Sequence, residues 1–259
     1  MRELGTGPPI LALHGFSSTG AQWADLGTRL GTSILAPDLP GHGRSTVAVD
    51  GVDDVVDAIV DILERCDAPL PIIGYSQGGR MAILTALRRP DLVSSLIAIS
   101  ASPGIADPEA RRRRRESDAA LAAQIETLGI DRFLDLWLTR PVTSTEHLDP
   151  ALRAADRAVR SDNTAEGLAD ALRRYGQGAQ PYVGDRLADL PMSTWFVAGR
   201  ADLRYAGLAV EMAVAAPHGR AAIVPGGHNV VLDAPTELAA VIDRALGQSR
   251  TGPRPVSSQ

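Results

Sequence analysis

Apolar residues along this chain fall into short runs separated by longer amphipathic segments. Runs typical of buried strands occur at residues 10–13, 33–36, 71–73, 96–99, 194–197 and 221–224. Between them, apolar positions recur at helical spacing, most clearly at Val52, Val55, Val56, Ile59, Ile62 and Leu63. Strands that alternate with helices at this spacing predict an α/β fold with a mostly parallel, doubly wound sheet.

The alternation stops between residues 105 and 189, where helical segments rich in Ala, Arg and Leu replace the strand pattern. We interpret residues 105–189 as a helical cap, inserted after the sixth core strand. Such a cap would cover the carboxyl ends of the strands, where ligands bind in open α/β sheets. The core then comprises residues 1–104 and 190–248. Residues 249–259, rich in Ser, Pro, Gly and Arg, are predicted to form a disordered tail.

Composition narrows the functional classes. A chain of 259 residues with 44% hydrophobic content fits one substantial core, and its net charge of −5 gives no general attraction to nucleic acid. The single cysteine, Cys66, excludes a disulfide framework and favours a cytoplasmic location. No apolar stretch is long enough to span a bilayer, so no membrane association is expected.

All 26 basic residues are arginine, which excludes Schiff-base and lysine-base chemistry. Both a monomer and a homodimer are compatible with the sequence.

The segment Gly74-Tyr75-Ser76-Gln77-Gly78 follows a predicted strand and precedes a predicted helix. Glycines on both sides of a serine permit a sharp strand-to-helix turn that exposes the serine hydroxyl, the arrangement of a nucleophile elbow. The alternative is a tight turn with an incidental serine. The motif alone does not distinguish these two interpretations, so other residues have to be considered with it.

Two further polar residues follow strands in the same way. Asp202 comes directly after the run at 194–197, and His228 comes after the run at 221–224. Because parallel strands end at the same edge of a sheet, Ser76, Asp202 and His228 are predicted to converge there as a proton relay. The alternatives are a helix N-cap for Asp202 and a turn residue for His228. The backbone N–H groups of Phe16 and Gln77 are the predicted oxyanion hole.

We interpret two histidines earlier in the chain as structural residues. His14, in the turn after the first apolar run, is interpreted as a residue that satisfies backbone groups of that turn. His42, in a loop dense in Gly and Pro, is interpreted as structural or peripheral.

Arginines supply a second set of candidate residues. Arg80 lies four positions after Ser76, on the same helical face, where a poorly solvated guanidinium requires an anion. The alternative is a structural ion pair with an acidic residue. Residues 111–115 are all arginine, and Arg114 can pair with Asp118 at helical spacing. No interleaved aromatic residues accompany this run, so a nucleic-acid site is not supported.

Over nearly its whole length the chain resembles the α/β-hydrolase superfamily, with LHGF, GYSQGG, GRAD and GGHN as the matching motifs. Within it, the segments DLPGHGRS, VDDVVD, GYSQGGRMA, ASPGI and RRRRRESD resemble the 2-succinyl-6-hydroxy-2,4-cyclohexadiene-1-carboxylate (SHCHC) synthases of menaquinone biosynthesis. The resemblance places the substrate-carboxylate arginines at Arg80, Arg114 and Arg160, with Tyr75 and Trp137 lining the pocket. A further basic position, often lysine in that family, falls on Arg204.

The resemblance implies a lyase that eliminates pyruvate from a substrate with three carboxylates, without metal or organic cofactor. Ser76 would act as a general base, and the partner would be a small polyanionic substrate. Several guanidiniums suit such a ligand, because each can hold a carboxylate through two parallel N–H bonds. The alternative is a serine hydrolase, either a carboxylesterase or a C–C bond hydrolase, acting on a small carboxylate-bearing substrate. A non-catalytic binding module of the same fold is a third possibility, against which the intact Ser, His and Asp argue.

Overall fold

The computed structural model describes residues 2–4 and 9–250, with side chains from residue 9 to 247. Within these residues seven strands form one sheet, in the order β1-β3-β2-β4-β5-β6-β7. The strands are β1 Arg2–Leu4, β2 Ile10–Leu13, β3 Ile34–Ala36, β4 Leu70–Tyr75, β5 Val93–Ile99, β6 Ser193–Gly199 and β7 Gly219–Val224. Only the pairing of β1 with β3 is antiparallel. The predicted mostly parallel α/β sheet is confirmed, and β1 is an addition that the apolar pattern missed.

Helices connect the strands, and one of them forms the C-terminal end of the described residues. They are α1 Ala24–Leu30, α2 Val52–Glu64, α3 Gln77–Arg88, α4 Pro108–Trp137, α5 Pro150–Ser161, α6 Ala165–Tyr175, α7 Leu203–Ala215, α8 Val230–Asp233 and α9 Pro235–Arg250. Short 3₁₀ turns lie at Gly20–Trp23, Pro90–Leu92 and Gly184–Asp189. α9 ends at Arg250, and residues 251–259 of the predicted tail lie outside the described residues.

The sheet is buried because both of its faces are covered by helices. On one face Val55 of α2, Met81 of α3 and Ala209 of α7 belong to one apolar cluster. On the other face Leu26 of α1 and Leu238 of α9 belong to a second cluster. This double coverage explains why the central strands read as apolar runs rather than as alternating patterns.

The first turn of α2 shows what its aspartates do. Asp54 Oδ2 accepts hydrogen bonds from the backbone N–H groups of Asp50 at 2.6 Å and Gly51 at 3.2 Å. A carboxylate at this end of the helix also interacts favourably with the helix dipole. Asp54 therefore stabilises the start of the helix.

Between β5 and β6 the chain forms helices α4, α5 and α6, within the region predicted as a cap. These helices have their own apolar cluster, which includes Ile125, Phe133 and Leu168. Gly129 interrupts α4 with φ +72°, a conformation that glycine adopts without steric cost. The cap is tied to the core by Asn163, whose Nδ2 donates to Ser17 O at 3.1 Å.

The position of this insertion in the strand order differs from the prediction. In the described part of the chain five strands precede it, so it follows the fifth strand rather than the sixth.

No helix within residues 2–4 and 9–250 combines the length and the apolar character needed to cross a bilayer. The longest, α4, carries the run of arginines near its start.

The glycines around Ser76 make the close contact between β4, α3 and β2 possible. A Cβ at Gly78 would lie 2.2 Å from Leu13 O, and one at Gly74 would lie 2.4 Å from Gly78 O. Both neighbours are backbone atoms, which cannot move aside without shifting a strand or a helix.

We expect Gly78→Ala to lower the free energy of unfolding by roughly 1–3 kcal/mol or more, because the added methyl overpacks a rigid backbone contact. The matched control is Gly207→Ala in α7, where nothing lies within 4 Å of the new Cβ. That change should raise stability by about 0.5–1 kcal/mol through helix propensity. Urea unfolding of both variants is the measurement, and equal stabilities would contradict the role of Gly78.

Candidate active site

Ser76 occupies the turn between β4 and α3 in a strained conformation, with φ +50° and ψ −107°. Non-glycine residues rarely adopt positive φ, and such strain persists where surrounding contacts enforce it. Here the Ser76 N–H donates to Ile99 O at 2.8 Å, and the Arg80 N–H donates to Ser76 O at 3.0 Å. The turn is therefore held by the neighbouring strand on one side and by the first helical turn on the other.

The side chains of Ser76, His228 and Asp202 are joined in one hydrogen-bonded chain. Ser76 Oγ lies 3.1 Å from His228 Nε2, and His228 Nδ1 lies 2.7 Å from Asp202 Oδ2. Because a carboxylate can only accept, it fixes Nδ1 as the protonated nitrogen and leaves Nε2 as the acceptor for the Ser76 hydroxyl. This is the geometry required for an imidazole that takes a proton from serine.

Asp202 also fills the alternative role considered from the sequence. Its second oxygen, Oδ1, accepts from the Tyr205 N–H at 3.3 Å, so Asp202 is the N-cap of α7. The two roles use different oxygens of the carboxylate and are compatible. His228 is held from behind by Ser100, whose Oγ donates to His228 O at 2.8 Å. The backbone and the side chain of the histidine are thus both fixed.

The turn after β2 lies directly beside the Ser76 turn. The Gly78 N–H donates to His14 O at 3.1 Å, which brings the segment containing Phe16 next to the start of α3. Gln77 is the first residue of α3, so its N–H has no acceptor within the helix. Gln77 thus adjoins Ser76 with a free helical N–H, and the turn that contains Phe16 packs against the start of α3.

Two buried histidines fix the shape of this turn. His14 Nε2 accepts from the Leu39 N–H at 2.9 Å, while its Nδ1 is 2.8 Å from Gly15 O. His42 Nε2 accepts from the Ser17 N–H at 3.3 Å. Burial lowers the pKa of His14 to about 4 and that of His42 to about 3. Both rings are neutral near pH 7, which lets each accept a backbone hydrogen bond.

Arg80 lies one helical turn after Ser76 and is buried, with 8% of its surface exposed. Its Nη1 donates to Gln180 Oε1 at 3.2 Å, and within residues 9–247 it forms no ion pair with a carboxylate. Burial lowers the pKa of its guanidinium to about 10, so the group still carries its charge at neutral pH. The structural ion pair considered as the alternative is absent among these residues. A buried cation with a neutral partner remains available to an anion.

Arg114 and Arg160 differ from Arg80 because each is paired with a carboxylate. Arg114 Nε lies 2.7 Å from Asp118 Oδ1, as its helical spacing predicted. Arg160 Nε lies 2.7 Å from Asp156 Oδ2, and both of these side chains are buried. The remaining donors of Arg160 face the turn after β2, where Nη1 donates to Ser17 Oγ at 2.7 Å.

Aromatic side chains line the region above Ser76. The half-buried ring of Trp137 packs against Phe16 with centroids 5.5 Å apart, and its Nε1 has no hydrogen-bond partner among the described residues. The Tyr75 ring packs beside His228 at 5.7 Å, and burial raises the pKa of its hydroxyl. Arg204 is exposed and lies over the ring of Tyr205, with Cζ 6.0 Å from the centroid. Arg204 therefore lies at the outer edge of this group.

The described residues contain no cluster of three or more His, Cys, Asp or Glu side chains suited to a metal ion. The polar groups of the site are instead the hydrogen-bonded chain of Ser76, His228 and Asp202 and the nearby guanidinium groups.

Comparison with known proteins identifies the family. The alpha/beta hydrolase family profile matches residues 10–241. The chain belongs to the alpha/beta hydrolase family. Among its relatives, the SHCHC synthase of Enterobacter sp. (strain 638) is 31% identical over 242 residues, covering 92% of each chain. That of Salmonella agona (strain SL483) is 32% identical over 239 residues, covering 91% of each chain.

Solved structures agree with this assignment. MenH from S. aureus superposes with a TM-score of 0.90 at 27% identity, covering 96% of this chain and 97% of that one. A thermophilic esterase from Thermogutta terrifontis superposes with a TM-score of 0.82 at 24% identity, which reflects the shared fold alone. The resemblance drawn from the sequence motifs is confirmed at the level of the family and of similarity to the SHCHC synthases.

Sequence reasoning missed several residues that this alpha/beta hydrolase places around its arginines. Gln177 and Gln180 contact Arg114 and Arg80 across more than sixty residues of chain, and no local pattern signals such contacts. Asp156 could have been found, because it lies four residues before Arg160 on a predicted helix.

We expect the free energy of unfolding to fall as the pH is lowered from about 6.5 towards 4. The unfolded chain binds protons at His14 and His42 in this range, whereas the folded protein does not, since the pKa of each is lowered on folding. Each histidine contributes a slope of up to about 1.4 kcal/mol per pH unit. His42→Gln should reduce the slope between pH 5 and 6 by about 1 kcal/mol per pH unit.

Urea unfolding at a series of pH values measures this slope. The control is His218→Gln, which replaces an exposed histidine. An unchanged slope in the His42 variant would contradict the burial of a neutral ring at this position.

Proposed function

We propose that this alpha/beta hydrolase is a lyase of the SHCHC synthase type. Its substrate would be 2-succinyl-5-enolpyruvyl-6-hydroxy-3-cyclohexene-1-carboxylate, from which it eliminates pyruvate. The relatives at about 30% identity are named SHCHC synthases. The observation that carries the proposal is the position of Arg80, a buried guanidinium with a neutral partner, one helical turn from a serine hydrogen-bonded to histidine.

The charge of the site favours a substrate rich in carboxylates. Among residues 9–247 Arg80 forms no ion pair with a carboxylate, while Arg114 and Arg160 are each paired with an aspartate. A guanidinium can bind a carboxylate through two parallel N–H bonds, and in a water-poor site such contacts are stronger than in bulk water. An uncharged ester would leave Arg80 buried without an anion. The site therefore suits a polyanion better than a neutral substrate.

In the proposed reaction Ser76, with His228 as proton acceptor, removes the ring proton next to the succinyl carbonyl. The electron pair of that C–H bond forms a ring double bond, the existing ring double bond shifts, and the C–O bond to the enolpyruvyl group breaks. The leaving enolpyruvate takes up a proton and becomes pyruvate. Negative charge that develops on the succinyl oxygen would be stabilised by the N–H groups of Phe16 and Gln77. Asp202 stabilises the imidazolium that forms.

The second candidate is a serine hydrolase acting on a small carboxylate-bearing substrate. The observation that favours it is the hydrogen-bonded Ser76–His228–Asp202 chain, which equally suits attack on an ester. The two candidates differ in what Ser76 does. A hydrolase forms a covalent acyl-enzyme and releases product in a burst, whereas the lyase forms no covalent intermediate.

The test is coupled turnover with the unstable enolpyruvyl substrate generated enzymatically in the same vessel. We expect pyruvate release to accompany addition of the protein and to fall by at least about 1,000-fold in Ser76→Ala, because the serine belongs to a unit that acts together. Ser117→Ala, at an exposed position of α4, is the control and should retain activity. Pyruvate release by Ser76→Ala at the parent rate would contradict the proposal, and a burst of acyl-enzyme would favour the hydrolase.

A further inference from the structure

Residues 176–181, which follow α6, contact two of the arginines predicted to bind the substrate, Arg80 and Arg114. We call this segment the amide strap. Gln180 Oε1 accepts from Arg80 Nη1 at 3.2 Å, and Gln177 Oε1 accepts from Arg114 Nη1. Both glutamine side chains are buried, with exposures of 0% and 3%. One short segment of the cap thus holds two guanidiniums through neutral amide oxygens.

The strap is itself rigidly held. The N–H groups of Ala179 and Gln180 both donate to Gly176 O, at 3.1 and 3.3 Å. The Gly178 N–H donates to Asp118 Oδ2 at 2.9 Å, and a Cβ at Gly178 would lie 2.3 Å from the backbone nitrogen of Arg115. This close approach to α4 leaves the backbone of the strap no room to shift.

The glutamine side chains are also fixed in orientation. Gln177 uses its second group, because Nε2 donates to Ser102 Oγ at 3.1 Å. Arginine can only donate, so the group of Gln180 that faces Arg80 is the carbonyl oxygen. The Nε2 of Gln180 is buried and has no partner among the described residues, which leaves a hydrogen-bond donor beside Arg80.

The neutrality of Gln180 has an electrostatic consequence. Asp156 neutralises Arg160 at 2.7 Å, so that pair carries no net charge. An amide oxygen orients a guanidinium through a hydrogen bond but leaves its full positive charge in place. Burial lowers the pKa of Arg80, and the nearby charge of Arg114 adds a smaller lowering effect. An incoming carboxylate relieves both costs.

We propose that Gln180, with Gln177, is a positioning and specificity-determining residue. It aims the guanidinium of Arg80 at the substrate while preserving the charge that selects polycarboxylates over neutral ligands. The inference rests on the proposed function, since it concerns how that site recognises its substrate. A glutamate at either position would keep the hydrogen bond but supply an internal anion that competes with the ligand.

The experiment measures binding of a tricarboxylate probe, tricarballylate, by calorimetry to the full chain and its variants. We expect Gln180→Glu to raise Kd by at least about 10-fold, because the new carboxylate pairs with Arg80. Gln180→Met, which removes the acceptor but adds no charge, should have a smaller effect. The control is Gln124→Glu, the same charge change at an exposed site of the cap, which should leave Kd within about 2-fold.

Two further readouts separate charge selection from a purely structural role. In Gln180→Glu the melting temperature should equal or exceed that of the parent, because the new carboxylate pairs with a buried guanidinium. An uncharged fluorophosphonate should label Ser76 at the parent rate. Gln177→Glu repeats the test at the other position and decides the matter if the first variant does not fold. The proposal is overturned if Gln180→Glu binds tricarballylate as the parent does, if the parent does not bind it, or if labelling and binding fall together.

The outcome is distinguishable from that of the proposed function. A parent protein that binds tricarballylate in a Gln180-dependent way but releases no pyruvate would contradict the lyase and leave the strap's role intact. Normal pyruvate release with kcat and KM unchanged in Gln180→Glu would contradict the strap's role alone.

Discussion

The turn at Ser76 exists because backbone segments meet there without side chains between them. Gly74 and Gly78 allow the end of β4, the start of α3 and the end of β2 to touch, with backbone atoms where a Cβ would stand. This contact forces the serine into a positive φ and directs its hydroxyl at His228. The same contact sets the direction of α3, so Arg80 follows one turn later on the same side. Ser76 and Arg80 are therefore positioned by a single packing constraint.

The electrostatics of the site depend on which groups lack a countercharge. The structure pairs two of its three central arginines with aspartates and gives the third only an amide. Burying an unpaired guanidinium lowers the free energy of unfolding, and other contacts in the fold must compensate for this loss. Groups of this kind are found chiefly in functional sites. The rings of Trp137 and Phe16 pack together on this side of the molecule, with centroids 5.5 Å apart. Charge interactions are stronger where apolar groups replace water.

Much of this arrangement could be predicted from the sequence because its signals are local. The apolar runs at 10–13 and 71–73 fall within β2 and β4, and the elbow motif lies at the predicted junction of strand and helix. β1 was missed because a three-residue edge strand carries no apolar run of its own. The cap was predicted to follow a sixth core strand, whereas five described strands precede it.

Contacts between distant residues could not be predicted in this way. The partner of Arg80 is Gln180, 100 residues further along the chain, and its identity depends on how the cap docks on the core. The sequence indicates that a guanidinium beside Ser76 needs a partner, but whether that partner is an acid or an amide is decided by tertiary packing. This difference determines whether the site carries a free positive charge.

The most direct test of the account is a comparison of Arg80→Met with Arg88→Met, two substitutions on the same helix. Arg80 is buried beside Ser76, whereas Arg88 forms exposed ion pairs with Asp53 and Asp57. The account predicts that kcat/KM for pyruvate elimination falls by about 100-fold or more in Arg80→Met, because a buried charge contact with the substrate is lost. It predicts little change in Arg88→Met. Equal kcat/KM in the two variants would contradict the claim that Arg80 receives a substrate carboxylate.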